Sequence, residues 1–123
     1  MEWELDDSRP IYLQIVEQLE FRIISGAYEI GEKLPSVRDM ADEASVNPNT
    51  MQRALSELER TGLIYTRRAV GRFITEDTDL IKEIKEEFAK KQVDVFFSNM
   101  NKIGFDNAES IEFAEKVDKE MKS

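Results

Sequence analysis

The sequence predicts a mainly helical α+β chain: three short helices, a small β-hairpin and then a helical tail. Three observations predict it. Apolar residues recur at intervals of four from Ile11 through Ile15 and Leu19 to Ile23, the spacing of one helix face. Two punctuation points, Leu34-Pro35-Ser36 and Ser45-Val46-Asn47-Pro48, each restart a helical pattern. Two β-prone runs then flank the stretch from Arg68 to Gly71.

Each element has a local reason. After an extended opening, Pro10 stands where a first helical turn tolerates a missing N–H, with Ser8 or Arg9 at the cap. Leu13, Val16 and Ile24 widen the buried stripe, and the helix is expected to end near Gly26. The second helix begins at Ser36, which forms with Asp39 the S-x-x-D spacing of a capping box. Its inner face is Val37, Met40, Ala41 and Ala44. Asn47 is a favoured N-cap and Pro48 a favoured first residue, so they open a third helix. Met51, Ala54, Leu55 and Leu58 face its core side, and Gly62 stops it. Leu63 to Arg67 and Arg72 to Thr75 read as the strands of a hairpin with an arginine-rich tip.

From Asp77 onward three apolar stripes alternate with charge: Leu80, Ile81, Ile84 and Phe88, then Val93, Phe96, Phe97, Met100 and Ile103, then Ile111, Ala114, Val117 and Met121. Gly104 and a cap at Asp106 or Asn107 separate the last two, so the tail reads as three short helices. The expected organisation is a domain over residues 1–75 and a helical module over residues 76–123. Phe88, Phe96, Phe97, Phe105 and Phe113 are more apolar area than short helices hide alone. Pairing with a second copy covers it. Phe88, Phe96, Phe97, Met100, Ile103, Phe113 and Val117 are the expected dimerisation residues.

Composition excludes several classes. The 123 residues contain no His and no Cys, which removes the commonest general base, nucleophile and transition-metal ligands. The carboxylates are scattered without a phosphate loop or base to organise them, so no enzyme, no cofactor and no metal are expected. The longest apolar run, Val93 to Phe97, is broken by Asp94, so no membrane span is expected. The acidic N-terminus does not read as a secretory signal, so a cytoplasmic location is expected.

The net charge of −9 argues on its face against a nucleic-acid partner, but its distribution is uneven. Residues 1–27 carry two cations against six carboxylates, residues 28–75 seven against seven, and residues 76–123 eight against thirteen. Arg67, Arg68 and Arg72 fall in one stretch free of acidic residues. Two short helices, a turn of about three residues and a two-stranded ribbon are the parts of a winged helix-turn-helix. In that geometry the third helix enters the major groove and presents Asn49, Thr50, Gln52, Arg53 and Ser56 to bases or phosphates. The wing offers Arg67, Arg68 and Arg72 to the flank, Gly71 permits close approach, and Arg38 is placed to clamp a phosphate. Arg60 is expected to pair with Glu57 or Glu59 as an exposed helix charge.

The runs Leu34-Pro35-Ser36-Val37-Arg38-Asp39-Met40-Ala41, Val46-Asn47-Pro48-Asn49-Thr50-Met51-Gln52-Arg53-Ala54-Leu55 and Leu58-Glu59-Arg60-Thr61-Gly62-Leu63-Ile64, preceded by Pro10-Ile11-Tyr12-Leu13-Gln14-Ile15, resemble the GntR family of bacterial regulators over roughly Ile11 to Ile74. Asn47-Pro48-Asn49-Thr50 and the short tail resemble its YtrA-like subgroup. The resemblance implies a homodimer that binds double-stranded operator DNA at a palindrome and represses nearby genes, with Arg38, Thr50, Arg53 and Gly71 as DNA-contacting positions. Two departures stand out. Gln52 replaces an arginine frequent in the recognition helix, and Ala69-Val70 replaces the usual glycine and polar residue of the wing tip. The tail is too short for the family's larger effector domains, so no small-molecule effector is expected. The competing reading is a winged-helix adaptor that binds protein without specific DNA binding, favoured by the charge and the aromatic tail.

Overall fold

A computed structural model describes residues 2–123. Among the described residues five helices and one two-stranded sheet follow in the order α1 (Ile11–Ile24), α2 (Val37–Ala44), α3 (Pro48–Arg60), β1 (Ile64–Arg67), β2 (Gly71–Ile74), α4 (Thr78–Lys102) and α5 (Asn107–Lys122). The chain divides into two compact units, Met1–Ile84 and Lys85–Ser123. The expected domain edge at residue 75 differs from this division because Leu80, Ile81 and Ile84, in the first turns of α4, pack against the core of the first unit.

That core is Ile15, Leu19 and Ile23 of α1, Met40, Ala41 and Ala44 of α2, and Met51, Ala54, Leu55 and Leu58 of α3. Leu34, Leu63, Ile64 and Ile74 close it. The 3.6-residue period of the three helices turns each apolar stripe inward, where burial stabilises by about 25 cal/mol per Å² of apolar surface.

The N-terminal arm is pinned to α1 by a ladder of side-chain-to-backbone hydrogen bonds. Gln14, Gln18 and Arg22 stand four residues apart on α1 and meet Asp6, Glu4 and Glu2, two residues apart on the arm. Gln14 Nε2 donates to the Asp6 carbonyl at 2.8 Å and its Oε1 accepts from the Asp6 N–H at 3.0 Å. Gln18 repeats this with Glu4 at 2.6 and 3.1 Å. Arg22 Nη2 donates to the Glu2 carbonyl at 3.3 Å, and its guanidinium lies 4.0 Å over the Trp3 ring. The spacings match because four helical residues rise about 6 Å and two extended residues about 6.6 Å. Trp3 and Leu5 pack against the core while Glu2, Glu4 and Asp6 face solvent.

α1 begins one residue later than the sequence suggests. Pro10 is its N-cap and makes no side-chain capping bond; its carbonyl accepts from Gln14 N–H at 3.4 Å. Ser36 caps α2 by accepting from Asp39 N–H at 3.1 Å. α2 ends with Ser45 in the left-handed region, φ +56, while Val46 N–H reaches the Ala41 carbonyl at 2.9 Å and Ser45 N–H reaches that of Asp42 at 3.2 Å. This double bond pattern satisfies the last carbonyls of a helix and reverses the chain sharply. Asn47 then accepts from Asn49 N–H at 2.7 Å, with Pro48 opening α3.

β1 and β2 pair antiparallel, Ile64 with Ile74, Tyr65 with Phe73, Thr66 with Arg72 and Arg67 with Gly71. The connection before α2 adds a third edge: Leu34 N–H donates to the Arg72 carbonyl at 2.9 Å and Ile74 N–H to that of Glu32 at 2.8 Å. β2 is therefore bonded along both of its edges.

In the tail, the first two apolar stripes lie on one continuous 25-residue helix, so two helices replace the expected three. The sequence between Phe88 and Val93, Ala89-Lys90-Lys91-Gln92, contains no Gly or Pro to break it. Gly104 does break it, at φ +98, with Phe105 N–H on the Met100 carbonyl at 3.0 Å and Gly104 N–H on that of Asn101 at 3.1 Å. Asp106 and Glu109 form a reciprocal capping box that opens α5. Among the described residues no helix is long and apolar enough to cross a membrane.

Candidate nucleic-acid interface

α3 has two clean faces. Met51, Ala54, Leu55 and Leu58 are buried, whereas Asn49, Gln52, Arg53 and Ser56 are exposed and Thr50 is half-buried. The exposed amide and hydroxyl are already paired, Gln52 Nε2 donating to Ser56 Oγ at 3.3 Å. Arg53 lies with its guanidinium carbon 3.7 Å from the centroid of Tyr12 on α1. Arg38 is exposed in the first turn of α2.

The three wing arginines, read from sequence as one cluster, separate in space. Side chains alternate across a strand, so Thr66 and Arg72, paired in register, share the side occupied by the buried Ile64 and Ile74. Both reach Glu59 of α3: Arg72 Nε donates to Glu59 Oε1 at 2.9 Å, and the Thr66 hydroxyl donates to the same oxygen. Arg67 belongs to the other side, with Tyr65 and Phe73, whose rings stack at 5.7 Å. Its guanidinium lies 5.5 Å from the Phe73 centroid. Arg68 is exposed in the turn itself. Of the two partners open to Arg60, Glu57 takes it at 3.6 Å.

The tip is closed by Val70 N–H on the Arg67 carbonyl at 3.0 Å, with Ala69 left-handed at φ +63. Gly71 has φ +139, and a Cβ there would stand 3.0 Å from Lys33 Cε. This position is thus restricted by its backbone, while the flexible end of the Lys33 side chain can swing aside.

Sequence reasoning missed Tyr12, Glu59 and Thr66. For the last two a signal existed: Arg72 stands two residues before the apolar Ile74, so a period of two already turns it toward the protein. Tyr12 gave no such signal beyond sitting on the helical face next to Ile11 and Ile15.

In the second unit, Phe96, Ile103, Phe113 and Val117 are exposed, Ile103 at 69%, while Phe88, Phe97 and Met100 are half-buried. Ile111 and Met121 are exposed as well, Met121 at 80%. Among the described residues no group of three or more His, Cys, Asp or Glu is placed to hold a metal ion.

A tri-helical core, a sharp α2–α3 turn and a hairpin after α3 define a winged helix-turn-helix protein of the DNA-binding kind. The family described as bacterial regulatory proteins, gntR family, matches residues 11–74, and the chain belongs to it. It is 40% identical over 112 residues to the HTH-type transcriptional regulator YhcF of Bacillus subtilis, covering 91% of this chain and 93% of that protein. It is 38% identical over 99 residues to the HTH-type transcriptional repressor YtrA of the same organism, covering 76% of each. A solved GntR family transcriptional regulator from Listeria monocytogenes superposes with a TM-score of 0.83 at 44% identity, covering 91% of this chain and 98% of that one. The chain is accordingly a YtrA-like GntR regulator that binds DNA, in a family of transcription regulators rather than enzymes.

Proposed function

We propose that this regulator is a repressor that binds a palindromic operator as a homodimer. The observation that carries it is the amphipathic split of α3, whose polar face, Asn49, Gln52, Arg53 and Ser56, is exposed beside the wing. A major groove about 12 Å wide admits one such helix, and its amide and guanidinium groups match adenine and guanine edges. Thr50 and Arg38 serve phosphates near the helix N-termini. Arg67, Arg68 and the Gly71 turn reach the flank, and Arg72 contributes through the wing it helps to hold.

The homodimer is supported by the exposed Phe96, Ile103, Phe113 and Val117 of the second unit, which with the half-buried Phe88, Phe97 and Met100 form the pairing surface. A two-fold dimer presents two copies of α3, which suits two half-sites about 34 Å apart. Anisotropy titration of the upstream DNA of its own gene, repeated across salt concentrations, tests the reading. Affinity must fall as salt rises, and Arg53→Ala must weaken the specific site more than an unrelated duplex. Light scattering must give twice the chain mass, reduced to one by Phe113→Ser combined with Val117→Glu.

A further inference from the structure

We infer that Glu59 is a positioning residue for DNA binding: it anchors the wing to α3 through Arg72 and Thr66, and so sets the angle at which Arg67 and Arg68 are presented. The inference rests on the DNA-binding reading above and adds to it a carboxylate that no cation-seeking survey of the interface selects.

A hairpin of two four-residue strands is marginally stable by itself, and its direction relative to α3 must be fixed from outside. Backbone bonds tie β2 to the connection before α2, Ile74 to Glu32 and Arg72 to Leu34. The side-chain tie to α3, at the Thr66–Arg72 pair, is Glu59 Oε1. One oxygen accepts both the guanidinium N–H at 2.9 Å and the hydroxyl. The charged side chains keep only 20% and 32% of their exposure, so solvent screens this pair less than it screens the open surface pairs of the tail. The strand alternation that turns Thr66 and Arg72 toward α3 also turns Arg67 away from it, so a single carboxylate orders both sides of the ribbon.

Simple electrostatics gives the opposite sign from positioning, which makes the idea testable. Removing Glu59 deletes a negative charge and releases Arg72 as a cation; by charge alone, DNA would bind more tightly. Positioning requires looser specific binding. Three variants are compared with the full-length wild type: Glu59→Leu, Glu59→Gln, which keeps an acceptor oxygen, and Arg72→Met. Each is measured by amide exchange of the DNA-free protein, by titration with operator and with an unrelated duplex, and by hydroxyl-radical footprinting.

The expected result for Glu59→Leu is faster exchange at Val70 and neighbouring wing amides and about tenfold weaker operator binding, the scale of one lost charge-assisted contact. Non-specific affinity should be unchanged or higher, and footprint protection should be lost at the flanks but kept at the centre. Glu59→Gln should stay within about threefold of wild type, since an acceptor remains. Operator binding by Glu59→Leu as tight as wild type, or unchanged wing exchange, overturns the inference. If Glu59→Leu does not fold, Arg72→Met decides: faster wing exchange supports the anchor, and lost affinity with unchanged exchange makes Arg72 a plain DNA contact and overturns it. Failure of the wild type to bind any operator sinks the DNA reading separately, because exchange in the free protein still judges the anchor.

Discussion

The guanidinium of Arg53 lies 3.7 Å over the ring of Tyr12, joining the exposed face of α3 to the first turn of α1. An arginine on an open helix face carries about 2 kcal/mol of rotamer entropy that DNA binding would have to overcome. Stacking on an aromatic face removes part of that cost in advance and leaves the guanidinium edge free to donate.

Tyr12 is therefore expected to matter for affinity through its ring rather than its hydroxyl. Tyr12→Phe should bind operator within about twofold of wild type. Tyr12→Leu, which keeps an apolar side chain against the core, should bind about fivefold more weakly, matching a stacking contribution of about 1 kcal/mol. Equal affinities in a paired titration would show that the stack does not prepare Arg53.

Arg68 stands exposed in the wing turn. If it meets a phosphate, Arg68→Ala should lower the slope of log affinity against log salt by about 0.9 and weaken all duplexes by a similar factor. A loss confined to one sequence would instead make Arg68 a base-reading group.

Among the described residues two non-glycine residues occupy the left-handed region: Ser45 in the α2–α3 turn and Ala69 at the wing tip, at φ +56 and +63. A side chain there costs about 1–2 kcal/mol relative to glycine, partly offset by glycine's greater entropy when unfolded. Ser45→Gly and Ala69→Gly should each stabilise by up to about 1 kcal/mol, read as a rise in Tm of roughly 4–8 °C. A fall in Tm for Ala69→Gly would mean that the tip relaxes out of this conformation.

The Asp6 carboxylate accepts from the Ser8 hydroxyl and from the Ser8 N–H at 2.8 Å, with Arg9 adding a smaller favourable charge. These bonds favour the ionised form and hold its pKa below the ordinary aspartate value. A depressed folded-state pKa contributes stability above the unfolded pKa and loses it as pH falls through the folded one. In an NMR titration the Asp6 midpoint should fall below the ordinary aspartate value, and Ser8→Ala should move it upward. An unmoved midpoint would assign the shift to something other than Ser8.

Helices α2 and α3 are legible in the sequence because each is written twice, once as an apolar period and once as a cap, whereas α1 is written by its period alone, its N-cap being Pro10 rather than Ser8 or Arg9. Ser36 and Asn47 with Pro48 are local signals that the chain obeys, although of the Ser36–Asp39 capping box only the Ser36 bond forms. The tail is less legible: its first two stripes predict two helices, but nothing between Phe88 and Val93 interrupts a helix, and α4 runs through both. The site was legible at the level of which elements carry it. The relations within it, Tyr12 under Arg53 and Glu59 beneath Arg72 and Thr66, join residues far apart in sequence and depend on packing angles that no local pattern encodes.

The ladder of Gln14, Gln18 and Arg22 fastens the one tryptophan of the chain at the edge of the first unit. Nature has thereby installed an optical gauge: the emission of that indole reads directly whether the leading segment is clasped or released. Any ligand, mutation or solution condition that peels it away announces itself in an unlabelled sample.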